Sequence, residues 1–252
     1  PRILSDLLYL PKTHALVLSS WGGRFLALDA DSGGTLFSWD AGISPYSGAS
    51  ADRDGTIYCL RAVWDKGIQF VAVSPQGEEA ILYTQALQKK PANRIPVSSA
   101  PVLDEDRGIV YFITNLDRES LIHAWQIQSA KILWNYRFPR NIVATPALTG
   151  KGVLIVPALD GYVYSLSPEG RLLYRYLSGC EYLLGSAVAD TQENTWIGDP
   201  LGVIHRVDEN GIGTLFFEGE RAIQARPSFD KTGCLFVPAT DHRTFVFNNT
   251  EG

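Results

Sequence analysis

The feature that most constrains this chain is an internal repeat with a period of about 40–50 residues. One copy, Ala27-Leu28-Asp29-Ala30-Asp31-Ser32-Gly33-Gly34-Thr35-Leu36-Phe37, reads A-x-D-x-x-x-G-x-x-x-aromatic. A second runs from Ala124-Trp125-Gln126 through Ala130 to Trp134, and a third from Arg206 through Asp208 to Phe216, both at the same internal spacing. A longer version is formed by Ala72, Ser74, Gly77 and Tyr83, a shorter one by Ser165, Ser167, Gly170 and Tyr174, and a last copy begins at Val246 and Asn248. Upstream of each lies a small residue or Pro, an apolar stretch, an acidic or Gly turn and an apolar strand, as in Ala100-Pro101-Val102-Leu103-Asp104 before Gly108-Ile109-Val110-Tyr111-Phe112. The column Ala49, Pro101, Pro146, Ala187 and Pro227 advances by 52, 45, 41 and 40 residues.

Each unit holds about four short apolar runs separated by turn chemistry, the pattern of β-strands joined by hairpins. Asp54-Gly55 and Asp160-Gly161 favour the positive φ of tight reversals. No segment sustains a 3.6-residue apolar period, so few helices are expected. A 252-residue chain with 45% hydrophobic and 19% charged residues is that of a globular protein with a sizeable core. No apolar run reaches the roughly 18–20 residues of a membrane-spanning helix. The net charge of −5 argues against a nucleic-acid partner, since a duplex-binding surface carries a basic excess. The chain opens at Pro1 and contains no Met. The expectation is that a segment has been removed or that this is one domain of a longer protein.

The A-x-D-x-x-x-G-x-x-x-W string resembles the tryptophan-docking repeat of PQQ-like (quinoprotein-type) β-propellers, a group that includes quinoprotein dehydrogenases and the outer-membrane assembly factor BamB. The resemblance implies an all-β fold: a single β-propeller, residues 1–252, of about six four-stranded blades. The blades fall roughly at 7–44, 45–90, 97–139, 142–179, 182–220 and 223–252. It also implies that Phe37, Tyr83, Trp134, Tyr174 and Phe216 close the fourth strands and pack between neighbouring blades. The last unit shows three strand candidates. Either residues 1–6, with Leu4 near the docking position, supply the fourth, or that strand has been cut away.

The resemblance does not carry the cofactor. PQQ-dependent dehydrogenases are larger eight-bladed rings with a calcium ion, and many have a vicinal Cys pair. This chain has too few units, and its cysteines, Cys59, Cys180 and Cys234, lie far apart. No PQQ or other cofactor is expected, and no metal ligand or catalytic residue is assigned. Asp65, Asp117, Asp160, Asp199 and Asp241 fall in successive second-to-third-strand turns. An acidic ring binding a cation is one reading. The favoured one is turn chemistry, because Asp is enriched in turns and the columns do not align. His14, His123, His205 and His242 are read as structural or surface residues, since none pairs with a nucleophile at triad spacing.

Propeller turns present side chains on a rigid scaffold, which suits partner recognition. Trp21 and Arg24, Trp64 and Asp65, Arg118, and His242 and Arg243 stand in turns expected on one face, together with Arg226 at a strand start that would face the central channel. Trp and Arg are the residue types enriched at binding hot spots. The expectation is a non-catalytic propeller that acts as a protein-interaction or scaffolding module, contacting another protein or another domain of its parent chain. The alternative is a small-molecule sensor or metal-dependent enzyme that uses the central channel, with Arg226 and the acidic turns in the site.

Overall fold

The computed structural model describes residues 7–20, 23–42, 47–87 and 97–248. Residues 1–6, proposed to close the last sheet, and Trp21 lie outside these. The described residues form no helix and six antiparallel sheets, one for each copy of the repeat. The fold is an all-β propeller. Two compact units divide the chain, residues 1–141 and 142–252.

In the first unit, one sheet consists of β1 (Leu8–Leu10), β2 (Ala15–Ser20), β3 (Arg24–Asp29) and β4 (Thr35–Asp40). The next holds β5 (Ala49–Ala51), β6 (Ile57–Val63), β7 (Gly67–Val73) and β8 (Glu79–Gln85). The third holds β9 (Val102–Asp104), β10 (Ile109–Asn115), β11 (Ser120–Gln126) and β12 (Lys131–Phe138). The second unit begins with β13 (Ala147–Leu148), β14 (Leu154–Pro157), β15 (Tyr162–Leu166) and β16 (Leu172–Leu177). It continues with β17 (Val188–Ala189), β18 (Thr195–Gly198), β19 (Val203–Val207) and β20 (Gly213–Glu218). It ends, among the described residues, with the three-stranded sheet β21 (Ser228–Phe229), β22 (Leu235–Pro238) and β23 (Thr244–Phe247). Strands pair in chain order, so every connection within a sheet is a hairpin.

Burial follows strand position. All residues of β10, β14 and β18 are buried, whereas β23, and β12 up to the buried Phe138, alternate exposed and half-buried residues. A middle strand has neighbours on both faces and reads as a continuous apolar run; an outer strand packs one face only and alternates. Within each unit the apolar seams lie between consecutive sheets. Phe25, Trp39, Ile57 and Val71 share one cluster, and Tyr58, Phe70, Val110, Phe112 and Trp125 share the next. Phe70 and Phe112 stack with ring centroids 4.3 Å apart. Clusters around Ile155, Val163, Leu183 and Ile197, and around Trp196, Ile204, Leu235 and Val237, play the same part in the second unit.

The repeat motif spans the end of a third strand, the following turn and the fourth strand, and its residue types have visible causes. Asp29 accepts hydrogen bonds from the Ser32 amide (2.8 Å) and hydroxyl (2.6 Å). Asp208 does the same for the amides of Asn210 (2.9 Å) and Ile212 (2.8 Å). The motif Gly serves the neighbouring sheet. At Gly211, where φ is +84°, an added Cβ would lie 2.6 Å from the ring of Tyr174 on the preceding sheet, and Gly77 sits against Phe37 in the same way. In these two pairs the motif Gly is therefore the seat for the docking aromatic of the blade before it. In the copy that lacks Gly, Ala130 itself takes a positive φ of 51°.

A β-bulge recurs in five third-to-fourth-strand pairings. In four of them the extra residue directly precedes the docking aromatic: Leu36, Leu82, Leu133 and Leu173. The fifth differs. There Phe216 is itself the skipped residue, between Leu215, paired with His205, and Phe217, paired with Ile204. Its ring still packs edge-on to Trp196 (4.8 Å) and to Phe247 of the next sheet (5.2 Å).

His123 is buried on β11, between the Phe112 ring (4.7 Å) and Tyr83 of the neighbouring sheet (5.2 Å). Its Nδ1 donates to Asn135 Oδ1 (2.6 Å) and its Nε2 accepts from the Thr114 hydroxyl (2.9 Å), the neutral tautomer. Burial pushes its pKa down to about 4, against a smaller upward pull from Asn135. A depressed histidine pKa means that the unfolded chain binds a proton that the folded one does not. Stability therefore falls as pH drops from the ordinary histidine value toward 4, by about 3 kcal/mol in all. Urea unfolding at neutral pH and near pH 4.5 should show this loss, and His123→Gln should flatten it. An equal loss in the variant would assign the acid sensitivity to other groups.

Candidate interaction surface

The turns joining second to third strands carry most of the side chains singled out above, Arg226 being on a connection between sheets. In the first unit, Arg24 opens β3, Trp64 and Asp65 lie in the β6–β7 turn and Arg118 in the β10–β11 turn. Trp64 is 52% exposed. Its turn is closed by the Lys66 amide on the Val63 carbonyl (3.2 Å), and Asp65 holds a left-handed φ of 64°, a conformation Asp tolerates better than most residues. Arg118 is exposed and makes no hydrogen bond or ion pair with the other described residues. Its turn is rigid: the Leu116 amide bonds the Glu119 carbonyl (2.8 Å), and Asn141 Nδ2 bonds the carbonyls of Leu116 (3.2 Å) and Glu119 (3.1 Å).

Two predicted residues are committed within their own sheets. Arg24 donates to the Ser38 hydroxyl and to the Ser38 carbonyl (3.4 Å), spanning the β3–β4 hairpin. Arg243 Nε bonds Asp241 Oδ2 (2.6 Å), and its guanidinium lies 5.6 Å from the centre of the Phe245 ring. That arginine holds the Asp241 carboxyl below the usual range. His242 takes a positive φ of 68° at the tip of the same turn. Arg226 is exposed on the β20–β21 connection, two residues before β21.

The acidic turn residues divide in the same manner. Asp160 accepts from the Tyr162 amide (3.1 Å) and the Tyr164 hydroxyl (2.6 Å), and Asp241 accepts from the Arg243 amide (3.2 Å). These are turn-closing bonds. Among the described residues no group of three or more His, Cys, Asp or Glu side chains is placed to hold a metal ion.

Asp199 is a hub that the sequence reading did not assemble. Its Oδ1 accepts from the amides of Leu201 (2.8 Å) and Val203 (2.9 Å). Its Oδ2 accepts from His205 Nε2 (2.9 Å) and from the Cys180 thiol (3.1 Å). His205 Nδ1 in turn meets the Tyr176 hydroxyl (3.0 Å). Asp199 and His205 are both buried, so the hub ties β16 and its following connection to β18 and β19. Burial alone would raise the Asp199 carboxyl, but the bonds from His205, Cys180 and the Val203 amide bring it below the usual carboxylate range. Burial and the adjacent carboxylate push the Cys180 thiol up to about 11. A thiol in that state is a hydrogen-bond donor and a poor nucleophile. The sequence signal was faint, since the four residues span Tyr176 to His205 without a shared spacing.

Neither the protein-family models nor the curated proteins contain a match to this chain. The solved structures do. The crystal structure of BamB from Moraxella catarrhalis superposes with a TM-score of 0.71 at 14% sequence identity, covering 93% of this chain and 70% of that one. The chain shares the β-propeller fold of BamB. At this identity the likeness shows the fold alone, and a fold matched by 1256 solved chains does not choose among functions. No helix among the described residues is long and apolar enough to cross a membrane.

Proposed function

We propose that this protein is a non-catalytic interaction module of the PQQ-like repeat family, which binds another polypeptide through the second-to-third-strand turns of residues 1–141. The observation that carries this reading is Trp64, a large aromatic held half-exposed at the tip of a closed turn. The described turns also offer Asp65 and the exposed Arg118. A rigid turn that presents Trp and Arg loses little conformational entropy on binding, and these are the residues that dominate hot spots. Arg24 and Arg243, engaged within their own sheets, serve as supports for their turns.

Native mass spectrometry of the chain isolated gently from its source tests this. A polypeptide-sized mass excess is expected, and it identifies the partner. Affinity of the purified partner should then fall by about 2 kcal/mol, roughly thirtyfold, for Trp64→Ala and by a similar factor for Arg118→Ala. A small mass excess of metal or cofactor size, unaffected by either substitution, would overturn the reading.

A further inference from the structure

A second surface, distinct from the Trp64 turn, lies on residues 142–252. Three segments converge there: the β16–β17 connection, the β18–β19 turn and the β20–β21 connection. Their backbones are in close contact. The Ile223 amide bonds the Asp199 carbonyl (2.9 Å), and the Gly219 amide bonds the Gly202 carbonyl (2.9 Å). A Cβ added at Gly185 would lie 3.3 Å from the Gly198 carbonyl oxygen and 3.4 Å from that of Gln224. The Asp199 hub fixes the same place from below, holding the Leu201 turn with one carboxylate oxygen and Cys180 with the other.

On this anchored ground stand three large apolar side chains left in solvent: Tyr182, Leu184 and Leu201, the last 68% exposed. Leu183, between two of them, is fully buried, so the connection fills its share of the core and still presents the residues on either side outward. Single exposed apolar residues are ordinary, but a group on adjoining rigid segments marks a contact surface. Its electrostatics are specific. Arg53, Arg61, Arg107, Arg137 and Arg243 are ion-paired. Arg221 and Arg226, on the β20–β21 connection, are exposed and form no ion pair with the described residues. Glu181 and Glu220 stand on the same connections, with Glu220 acting on Arg243. In a chain of net charge −5, two uncommitted cations beside an apolar group complement a carboxylate.

We infer that this surface docks a polypeptide segment in which aliphatic side chains flank an acidic residue. The aliphatic groups cover Tyr182, Leu184 and Leu201, and the carboxylate meets Arg221 and Arg226. The inference rests on the interaction reading but on different residues.

The probes are acetylated, amidated peptides of sequence Leu-Leu-Asp-Leu-Leu, with Asn or Lys at the centre as comparisons, titrated into the full chain and followed by amide NMR shifts. The Asp peptide is expected to shift residues around 180–185, 199–203 and 221–226 and to bind about tenfold more tightly than the Asn peptide, with the Lys peptide weakest. Leu201→Ser should weaken all three peptides, and the pair Arg221→Ala, Arg226→Ala should remove the preference for Asp, each without changing thermal unfolding, whereas Trp64→Ala should leave both affinity and preference intact. Equal binding of the three peptides, no binding, or shifts confined to residues 1–141 would overturn the inference. So would self-association of the free chain abolished by Leu201→Ser, which would make a second copy the occupant. Loss of partner binding in Trp64→Ala alone bears on the proposed function and not on this surface.

Discussion

Replacing Asp199 with Ala should destabilise the protein by about 3–5 kcal/mol, one of the two largest effects expected of a single substitution here. The carboxylate accepts four hydrogen bonds, from two turn amides, a buried imidazole and a thiol. Alanine leaves all four donors without that acceptor, and buried His205 cannot turn to water. Asp199→Asn is the informative comparison. Its carbonyl oxygen can still receive the Leu201 and Val203 amides, and its NH2 can donate to His205 once the ring takes the other tautomer. The expected cost is about 1–2 kcal/mol. The two variants also separate by pH. The native carboxyl lies below its ordinary range, so its contribution is present above the unfolded carboxylate pKa and is lost as pH falls through the folded value. Asn has no such acid limb. Chemical denaturation of the full chain at neutral and acid pH measures both quantities. Equal losses for Ala and Asn would show that the hub contributes packing and not hydrogen bonds.

Gly161→Ala should be of similar size, about 3–5 kcal/mol, for a different reason. Gly161 has a φ of +79°, and an added Cβ would lie 2.0 Å from the Cys180 carbonyl oxygen. Its own carbonyl receives the Ser178 amide (3.1 Å) and hydroxyl (2.9 Å), so the β16–β17 connection runs directly over this turn. A collision with backbone cannot be relieved by a rotamer change. Gly179 supplies the control: its φ is +88°, but nothing lies within 4 Å of an added Cβ. Gly179→Ala should therefore cost only the left-handed conformation, about 1–2 kcal/mol. Comparable unfolding midpoints for the two variants would show that the crossover can shift, and that close approach is not what Gly161 provides.

These two positions show where sequence reading reaches and where it stops. The Asp160-Gly161 turn was legible because Asp and Gly are the residues a tight reversal needs. That Cys180 would lie over it was not, because nothing in nearest-neighbour chemistry records which backbone crosses a turn. The docking aromatics show the same division. Their spacing is visible, and Phe37 and Tyr174 pack against the next blade as that spacing implies. The shifted bulge at Phe216 is not visible, since a one-residue change of register leaves the residue types unaltered.

The candidate contacts divide likewise. Trp64 and Arg118 were identifiable as aromatic and cationic residues in turns, and the structure places them in exposed turn positions. Arg24 and Arg243 were identifiable by the same rule, yet both are engaged within their own sheets. A turn arginine reaches far enough to find a partner on the adjacent strand, and only coordinates show whether it has done so.

By itself, the sequence determined the fold class, a count of about six repeat units and turns such as that at Asp160-Gly161. Those depend on alternation, turn residues and a recurring motif, all of which act over a few residues and repeat. Tertiary structure alone decided the Tyr176–His205–Asp199–Cys180 hub, the seating of one blade's aromatic on the next blade's glycine, and the exposed apolar group around Leu201. Those depend on which side chains two separate segments present to each other once hydrophobic burial has packed the sheets face to face, and that pairing has no period in the chain.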